Sequence, residues 1–227
     1  MQGQTAILIF ANSSQVDLGR KGMLGDKGLF NTLNAHTLSI VKSTKLPYFQ
    51  FTEREQVGNS FGVRFTNAIK WVYAKGFDDV ITIGNDTPHL TAKTLLNTHR
   101  LLENNTCVLG PSTDGGFYLM GLHKSQFNEG LFTKLPWQSR KLSKSITLLL
   151  SAFKVEVIRL ETLQDIDAEE DIKNVLRFSR SLNKHILNLL RSLIPYVTQI
   201  FSTKNLQISH FHSYSFYNKG SPFGLSI

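Results

Sequence analysis

Short apolar runs alternate along this chain with segments whose apolar residues recur every three or four positions. Continuous runs such as Thr5–Phe10 and Asp79–Ile83 are typical of strands that are buried on both faces. Strands are predicted at residues 5–10, 48–52, 79–83, 106–109, 117–122 and 155–160. Helical spacing predicts helices over residues 30–41, 61–72, 91–102 and 142–152, with Thr91 as an N-cap.

This alternation of strands and helices predicts βαβ units and an α/β fold with a mainly parallel sheet. The Asp114-Gly115 step is typical of a tight hairpin turn, so the strands on either side are expected to pair antiparallel and make the sheet mixed. Ligands of such sheets bind at the carboxyl ends of the strands. Loops follow strands directly at residues 12–28, 84–88 and 111–116, and we expect them to converge on one edge.

The composition is that of an ordinary globular protein, with 41% hydrophobic and 11% aromatic residues in 227 positions. No stretch approaches the roughly 18 uninterrupted apolar residues that a membrane-spanning helix needs. Residues 1–10 lack the pattern of a signal peptide. The single cysteine, Cys107, excludes an intramolecular disulfide and lies in an apolar run, where burial is expected. Together these features favour a cytoplasmic protein.

The net charge of +8 is concentrated near the C-terminus. Seven Lys or Arg residues and no Asp or Glu follow Asp171, whereas the first 171 residues carry 18 basic and 17 acidic ones. This asymmetry predicts one domain over residues 1–180 and a basic extension over residues 181–227, with an amphipathic helix near residues 186–201. The extension is a candidate for covering the domain, for pairing with a second copy in a homodimer, or for contacting a membrane surface. No nucleic-acid partner is expected.

The first candidate for chemistry is Asp86, in the segment Gly84-Asn-Asp-Thr-Pro88 directly after a predicted strand. Hard cations such as Mg²⁺ and Mn²⁺ prefer carboxylate oxygens and are usually coordinated by ligand phosphates as well. A carboxylate at the carboxyl end of a strand is well placed for that role. The alternative is that Asp86 only shapes the turn before Pro88.

The second candidate is the pair Asp165 and Asp167, which an extended backbone would direct to the same side. Two neighbouring carboxylates repel each other unless a cation or a proton lies between them. The alternative interpretation is a capping box in which Asp167 and Glu170 begin a helix at Ala168. The two interpretations are compatible, because Asp165 could bind a metal while Asp167 caps.

The third candidate is the segment Pro111–Gly116, in which Asp114 could accept a hydrogen bond from a substrate hydroxyl. Its two glycines, Gly115 and Gly116, permit a close backbone approach, although an Asp-Gly turn is also a common structural device. In the loop of residues 12–28, backbone amides together with Arg20 and Lys21 are candidates for wrapping a diphosphate. That loop matches neither a P-loop nor a GxGxxG motif, and a merely flexible loop is the alternative.

Several of these segments occur in the order that is found in a known family. They are Gly84-Asn-Asp-Thr-Pro88, Val108-Leu-Gly-Pro-Ser-Thr-Asp-Gly-Gly-Phe-Tyr-Leu-Met-Gly-Leu122, Leu131-Phe132 with Trp137, and Asp165-Ile-Asp-Ala-Glu-Glu-Asp171. Over roughly residues 6–178 the chain resembles the DUF2064 family, also described as arsenosugar-biosynthesis-type glycosyltransferases. These are distant relatives of phospholactate guanylyltransferases and molybdopterin nucleotidyltransferases. The Asp-Gly-Gly block is the most specific part of the resemblance.

The resemblance implies a GT-A-like fold, that of nucleotide-diphospho-sugar transferases, with three α/β/α layers. It also implies that Asp86, Asp165 and Asp167 are metal ligands and that Asp114, Gly115 and Gly116 lie on the acceptor or sugar side. Phe61-Gly-Val-Arg64 resembles the family's Gly-Glu-Arg segment, which makes Arg64 a candidate phosphate contact.

The chain departs from the family pattern after its first strand. The family usually carries a Pro-Gly-x-x-Lys-Thr-Arg-Leu signature there, whereas this chain reads Asn12-Ser-Ser-Gln-Val-Asp-Leu-Gly-Arg-Lys21. Only Arg20 and Lys21 are left to supply cations. The resemblance ends near residue 180.

The leading functional hypothesis is a metal-dependent, glycosyltransferase-like enzyme that uses Mg²⁺ or Mn²⁺ and a nucleotide-activated sugar or a related diphosphate. Asp114 is the best candidate for a general base. One alternative is a nucleotidyltransferase that releases pyrophosphate from an NTP. The other is a catalytically degenerate domain that binds a ligand or a partner, as the altered loop after the first strand would allow.

Overall fold

The computed structural model describes residues 4–20 and 27–193. The strands are β1 (Thr5–Phe10), β2 (Tyr48–Phe51), β3 (Asp79–Ile83), β4 (Cys107–Pro111), β5 (Phe117–His123) and β6 (Val157–Arg159). The α-helices are α1 (Ser14–Arg20), α2 (Lys27–Ser43), α3 (Phe61–Ala74), α4 (Ala92–Leu102), α5 (Glu129–Phe132), α6 (Leu142–Ala152) and α7 (Glu169–Arg177). Residues 184–193 are also helical.

The six strands form one mixed sheet in the order β2-β1-β3-β5-β4-β6. Only β5 runs against its neighbours, because it returns from β4 through the hairpin that the Asp-Gly step predicted. The pairs β1–β2, β1–β3 and β4–β6 are parallel. The carboxyl ends of β1, β3 and β4 therefore lie along the same edge of the sheet, which we call the carboxyl edge.

Helices cover both faces of the sheet, and the alternation along β1 shows why. Ala6, Leu8 and Phe10 belong to the core that β1 shares with α3 and α6. Ile7 and Ile9 point the other way, into the core shared with α2 and α4. Since side chains of a strand alternate between faces, a strand covered on both faces is apolar at every position. The predicted α/β fold with three layers is confirmed.

Side-chain caps begin two of the helices, and one of these caps was predicted. Thr91 Oγ1 accepts a hydrogen bond from the Thr94 amide at 3.1 Å, so Thr91 caps α4 as predicted. Ser60 does the same for α3 through the Val63 amide. Cys107 is buried, which raises the pKa of its thiol to about 12 and keeps it protonated.

Two local structures differ from the sequence predictions. The segment of residues 12–28 was predicted as a loop but contains α1. This helix has seven residues, too few for a periodic pattern of apolar positions to reveal it in the sequence. Asp167 with Glu170 does not form the capping box of α7. Instead Asp171 reaches back, and its Oδ2 accepts hydrogen bonds from the Asp167 amide at 3.0 Å and the Ala168 amide at 2.8 Å.

The start of the basic extension packs on the domain. Leu182, Ile186 and Leu190 are buried in a third core cluster together with residues of α2 and α7, including Leu29 and Val175. Residues 194–227 lie outside the described ranges. The domain boundary near residue 181 and contacts of the extension with a second copy or a membrane stay predictions. Within the described ranges, no helix combines the length and apolarity needed to cross a membrane.

Candidate functional site

The carboxyl edge brings two of the predicted acidic segments side by side. Asp86 follows β3 and is 5% exposed, and its carbonyl oxygen accepts a hydrogen bond from the Ile166 amide at 2.8 Å. This bond places Asp165, which is 3% exposed, next to the loop after β3. The Thr87 hydroxyl of that same loop donates to Asp165 Oδ1. Two buried carboxylates, 79 positions apart in the chain, therefore lie on adjoining segments.

The third predicted metal ligand, Asp167, is less buried than Asp86 and Asp165 and lies at the start of a helix. Asp167 is half-buried, and its backbone is held by Asp171 at the start of α7. Among residues 4–20 and 27–193, no group of three or more His, Cys, Asp or Glu side chains is arranged to hold a metal ion. What the edge offers is a pair of buried carboxylates, and the role of Asp167 as a further ligand stays a prediction.

The turn between β4 and β5 fixes Asp114 from several sides. Asp114 Oδ1 accepts hydrogen bonds from the Ser112 hydroxyl and from the Gly116 amide, the latter at 2.8 Å. The Gly115 amide donates to the Ser112 carbonyl at 3.1 Å, and the Gly115 carbonyl accepts from the Ser143 amide at the start of α6 at 3.0 Å. The turn is thus tied to the neighbouring helix as well as closed on itself.

Gly115 cannot be replaced freely in this turn. Its φ is +91°, in the left-handed region that favours glycine, and a Cβ there would overlap the backbone of Arg140. Its amide and carbonyl already bond Ser112 and Ser143. Gly116 lines the cleft described next, whereas Gly115 supports the turn behind it. Direct ligand contacts of both glycines stay predictions.

A cleft opens beside Asp114 and Asp165, between the sheet edge and α3. It encloses about 580 Å³, including space open to solvent. Five aromatic residues from four parts of the fold line its wall: Phe10, Phe61, Phe65, Phe117 and Trp137. A cleft with a mostly apolar lining and a few converging polar groups is the usual form of a small-molecule site.

The aromatic wall is packed into a fixed shape. The ring centroids of Phe65 and Trp137 are 4.9 Å apart, and those of Phe10 and Phe65 are 5.1 Å apart. Trp137 Nε1 donates to the Phe132 carbonyl at 2.7 Å. A Cβ at Gly62 would overlap the indole, so α3 approaches Trp137 closely only because position 62 is glycine. The contacts between distant segments that build this wall leave no periodic signal in the sequence, which is why the prediction missed it.

A polar network supports the edge from behind. The side-chain nitrogen Nδ2 of Asn85 donates to Asp17 Oδ2 at 3.1 Å and to Asn34 Oδ1 at 2.6 Å. Asp17 Oδ1 also accepts from Asn12 Nδ2 at 3.0 Å, so α1 and α2 are joined to the residue that precedes Asp86. These positions lie within predicted loops or helices, and nothing in the sequence pattern identified them as partners.

Ser13 and Glu53 make a second link near the end of β1. The Ser13 amide donates to Glu53 Oε2 at 2.8 Å and its hydroxyl to Oε1 at 2.9 Å. Burial by itself raises the pKa of Glu53, but the hydrogen bonds from Ser13 outweigh it, so the pKa lies below its usual value. The carboxylate is therefore charged at neutral pH and holds the segment after β1.

The structure describes the predicted cationic residues only in part. Arg64 is half-buried in the first turn of α3, between Phe61 and Phe65 in sequence, and the residues lining the cleft do not include it. Arg20 is the last residue of α1, and its side chain is not described. Lys21 lies outside the described ranges. Phosphate contacts by these three residues stay predictions.

The sheet order, the single antiparallel strand and the loops at the carboxyl edge define a nucleotide-diphospho-sugar transferase-like, GT-A-type α/β fold. A solved structure of a candidate nucleotide-diphospho-sugar transferase from Desulfovibrio desulfuricans G20 superposes with a TM-score of 0.69, at 19% identity, over 87% of this chain and 98% of that one. A 4-diphosphocytidyl-2C-methyl-D-erythritol synthase from Anaerococcus prevotii DSM 20548 gives 0.51 at 13% identity, over 79% and 97%. Rv0371c from Mycobacterium tuberculosis H37Rv gives 0.50 at 13% identity, over 78% and 99%. At these identities the likeness establishes the fold alone.

The family comparison is more specific about sequence. Residues 42–139 match the family described as uncharacterized protein conserved in bacteria (DUF2064), which confirms the resemblance over that region. The matched region contains Asp86, Arg64, the Asp114-Gly-Gly turn and Trp137, but neither Asp165 nor the segment after β1. No curated protein matches the sequence significantly.

Proposed function

We propose that this protein is a metal-dependent transferase that acts on a nucleotide-activated sugar or a related diphosphate. The observation that carries the proposal is the hydrogen bond from the Ile166 amide to the Asp86 carbonyl, which sets two buried carboxylates on adjoining segments at the carboxyl edge. In open α/β sheets this edge is where ligands bind.

The donor set suits a hard divalent cation. Asp86 and Asp165 offer carboxylate oxygens, the ligand type that Mg²⁺ and Mn²⁺ prefer, and such ions take their remaining ligands from water and substrate phosphates. Bound there, the cation would supply stabilisation of the charge that develops on a diphosphate leaving group. Thr87 holds Asp165 in place through its hydroxyl, and the network around Asn85 holds the residue before Asp86.

Asp114 serves the other half of the reaction. Its Oδ1 is anchored by Ser112 and Gly116, so the carboxylate keeps one orientation in the lining of the cleft. A carboxylate in hydrogen-bond reach of an acceptor group is able to take its proton as a general base. The cleft would then bind the acceptor while the edge beside Asp165 binds the donor.

Isothermal titration tests the donor half directly. The full chain is titrated with a panel of nucleotide sugars and nucleotides, with and without Mn²⁺. Asp86→Asn and Asp165→Asn should each weaken metal-dependent binding by at least about tenfold, because in the proposal both are ligands of the ion. Asp78→Asn is the matched control, since Asp78 lies at the opposite end of β3 and pairs with Lys124. The proposal is contradicted if no compound in the panel binds more tightly with Mn²⁺ than without it. It is also contradicted if Asp78→Asn loses as much affinity as the two site variants.

A product assay separates the neighbouring chemistries. Release of a nucleoside diphosphate from a nucleotide sugar supports the proposed transfer, whereas pyrophosphate release from an NTP without sugar transfer indicates a nucleotidyltransferase. Ligand binding with neither product indicates a binding domain without catalysis.

A further inference from the structure

Besides Asp114, the polar side chains that line the aromatic cleft are three hydroxyl groups, the amide of Gln138 and the carboxylate of Asp165, which belongs to the proposed metal side. The Thr82 hydroxyl donates to the Met120 carbonyl at 3.2 Å, and the Ser139 hydroxyl donates to the Pro136 carbonyl at 2.7 Å. The Ser112 hydroxyl donates to Asp114. All three hydroxyl groups in the lining therefore already use their proton within the protein.

The indole of Trp137 likewise uses its hydrogen-bond donor within the protein. Its only donor, Nε1–H, bonds the Phe132 carbonyl, so towards the cleft Trp137 presents carbon surface. Phe65 and Phe117 extend this surface, with ring centroids 5.8 Å apart. A ligand ring packed against such a wall gains by leaving water and by aromatic contact, without any hydrogen bond to the wall.

Asp114 supplies the contrasting feature. Both hydrogen bonds to its carboxylate go to Oδ1, and no residue within the described ranges donates to Oδ2. A carboxylate oxygen can only accept, so the cleft calls for a ligand that brings one donor, such as a hydroxyl, on an otherwise apolar body. A ligand with hydroxyls all round its ring would leave several of them unpaired against the aromatic wall, which is unfavourable.

From this distribution of groups we infer that the cleft is an acceptor subsite for a hydroxyl carried on an aromatic or other apolar ring, a phenol-type alcohol rather than a free sugar. The inference rests on the proposed function for the transfer step. In that step the hydroxyl proton passes to Asp114 Oδ2 and the acceptor oxygen bonds to the anomeric carbon of the donor. The bond from that carbon to the nucleoside diphosphate breaks, and the diphosphate leaves with the electron pair.

The ligand class is tested by binding alone, with neither nucleotide nor metal present. NMR titration of the full chain compares 4-methylphenol with toluene, which lacks the hydroxyl, and with methyl β-glucoside, which has several. We expect saturable binding of 4-methylphenol, at least about tenfold weaker binding of toluene and no measurable binding of the glucoside, since a hydrogen bond to a charged group is among the stronger ones. Asp114→Asn should reduce the preference for 4-methylphenol over toluene, because its amide can keep an oxygen towards Ser112 while turning towards the cleft a neutral donor, which can bond the phenol oxygen only as an acceptor.

The position of the site is tested by a second pair of variants. Phe117→Leu should weaken 4-methylphenol and toluene alike, whereas Phe153→Leu, the same change at an exposed position on the far end of α6, should weaken neither. Thermal unfolding of each variant confirms that it is folded. Three results would overturn the inference. The first is equal affinity for the glucoside, and the second is an unchanged preference in Asp114→Asn. The third is tighter binding of tetramethylammonium than of 4-methylphenol, since this would indicate a site for a cation between the aromatic rings and the carboxylate. If 4-methylphenol binds as expected but metal-dependent nucleotide binding is absent, the proposed function has failed and the ligand class stands.

Discussion

The two ends of β3 carry aspartates in similar burial but in different surroundings. Asp79, the first residue of the strand, and Asp86, just beyond its last residue, are each 5% exposed. At the amino end, Asp79 Oδ2 accepts from the Thr5 hydroxyl at 3.4 Å, and His99 bonds that same hydroxyl. At the carboxyl end, the Asp86 backbone pairs with the segment of Asp165, beside the cleft.

The electrostatic consequence differs between the two ends. Burial raises the pKa of Asp79, and the nearby His123 and the hydrogen bond from Thr5 only partly offset this rise. The carboxyl end instead gathers Asp86 and Asp165 where loops from parallel strands meet. Burial of a carboxylate is therefore by itself a poor guide to function, and a second acid and an adjoining cleft are what distinguish the carboxyl edge.

The largest effect is expected at Gly115. Gly115→Ala places a Cβ against the Arg140 backbone at a φ of +91°, and we expect it to lower the free energy of unfolding by about 3 kcal/mol. Gly76→Ala is the matched control near the amino end of β3. Its φ is +95°, but a Cβ there meets nothing within 4 Å, so only the left-handed strain of about 1 kcal/mol should appear. Urea unfolding of both variants measures the difference, and equal losses would mean that the packing of Arg140 on the turn is unimportant.

The second effect concerns Thr87, which holds Asp165. Thr87→Val keeps the shape of a fully packed side chain but removes the hydrogen bond to a carboxylate, at a cost of about 2 kcal/mol in unfolding free energy. If Asp165 binds a metal, the same variant should also weaken Mn²⁺-dependent nucleotide binding by about tenfold. Thr87→Ser retains the hydroxyl and should restore most of the binding. Failure of the serine variant to restore it would show that the methyl group, not the hydrogen bond, matters.

The sequence predicted the frame of this site better than its lining. The apolar run Asp79–Ile83, the Thr91 cap and the Asp114-Gly115 turn are local signals, and each produced the expected element in the expected place. Because parallel strands end at the same edge, the convergence of their loops followed from the order of elements alone. The loop after β1 was harder, since α1 depends on the contacts of Asp17 with Asn12 and Asn85.

The aromatic cleft could not have been predicted in the same way. Phe10, Phe65 and Phe117 read as ordinary core positions, and Trp137 lies in an irregular segment. They meet only because the fold brings β1, α3 and β5 together and because Gly62 admits the indole. A wall assembled from distant segments carries no spacing rule, so its detection needs coordinates.

The smallest effect is a pH dependence that separates two consecutive aspartates at the amino end. The raised pKa of Asp79 means that its protonated form favours the folded state, so its contribution is fully present below the unfolded pKa and is lost as the pH rises through the folded pKa. Asp79→Asn should therefore be more stable than the unchanged protein at pH 7, and the difference should shrink as the pH falls towards 4. Urea unfolding at several pH values measures it.

Asp78 should show the opposite sign. Its hydrogen bond with Lys124 holds the pKa of Asp78 below its usual value, so its contribution is present above the unfolded pKa and is lost as the pH falls through the folded pKa. Asp78→Asn should thus be the less stable protein at pH 7, with a small difference because the pair is exposed. Parallel pH profiles for the two variants would contradict the comparison, because neighbouring carboxyl groups would then differ in position but not in electrostatic environment.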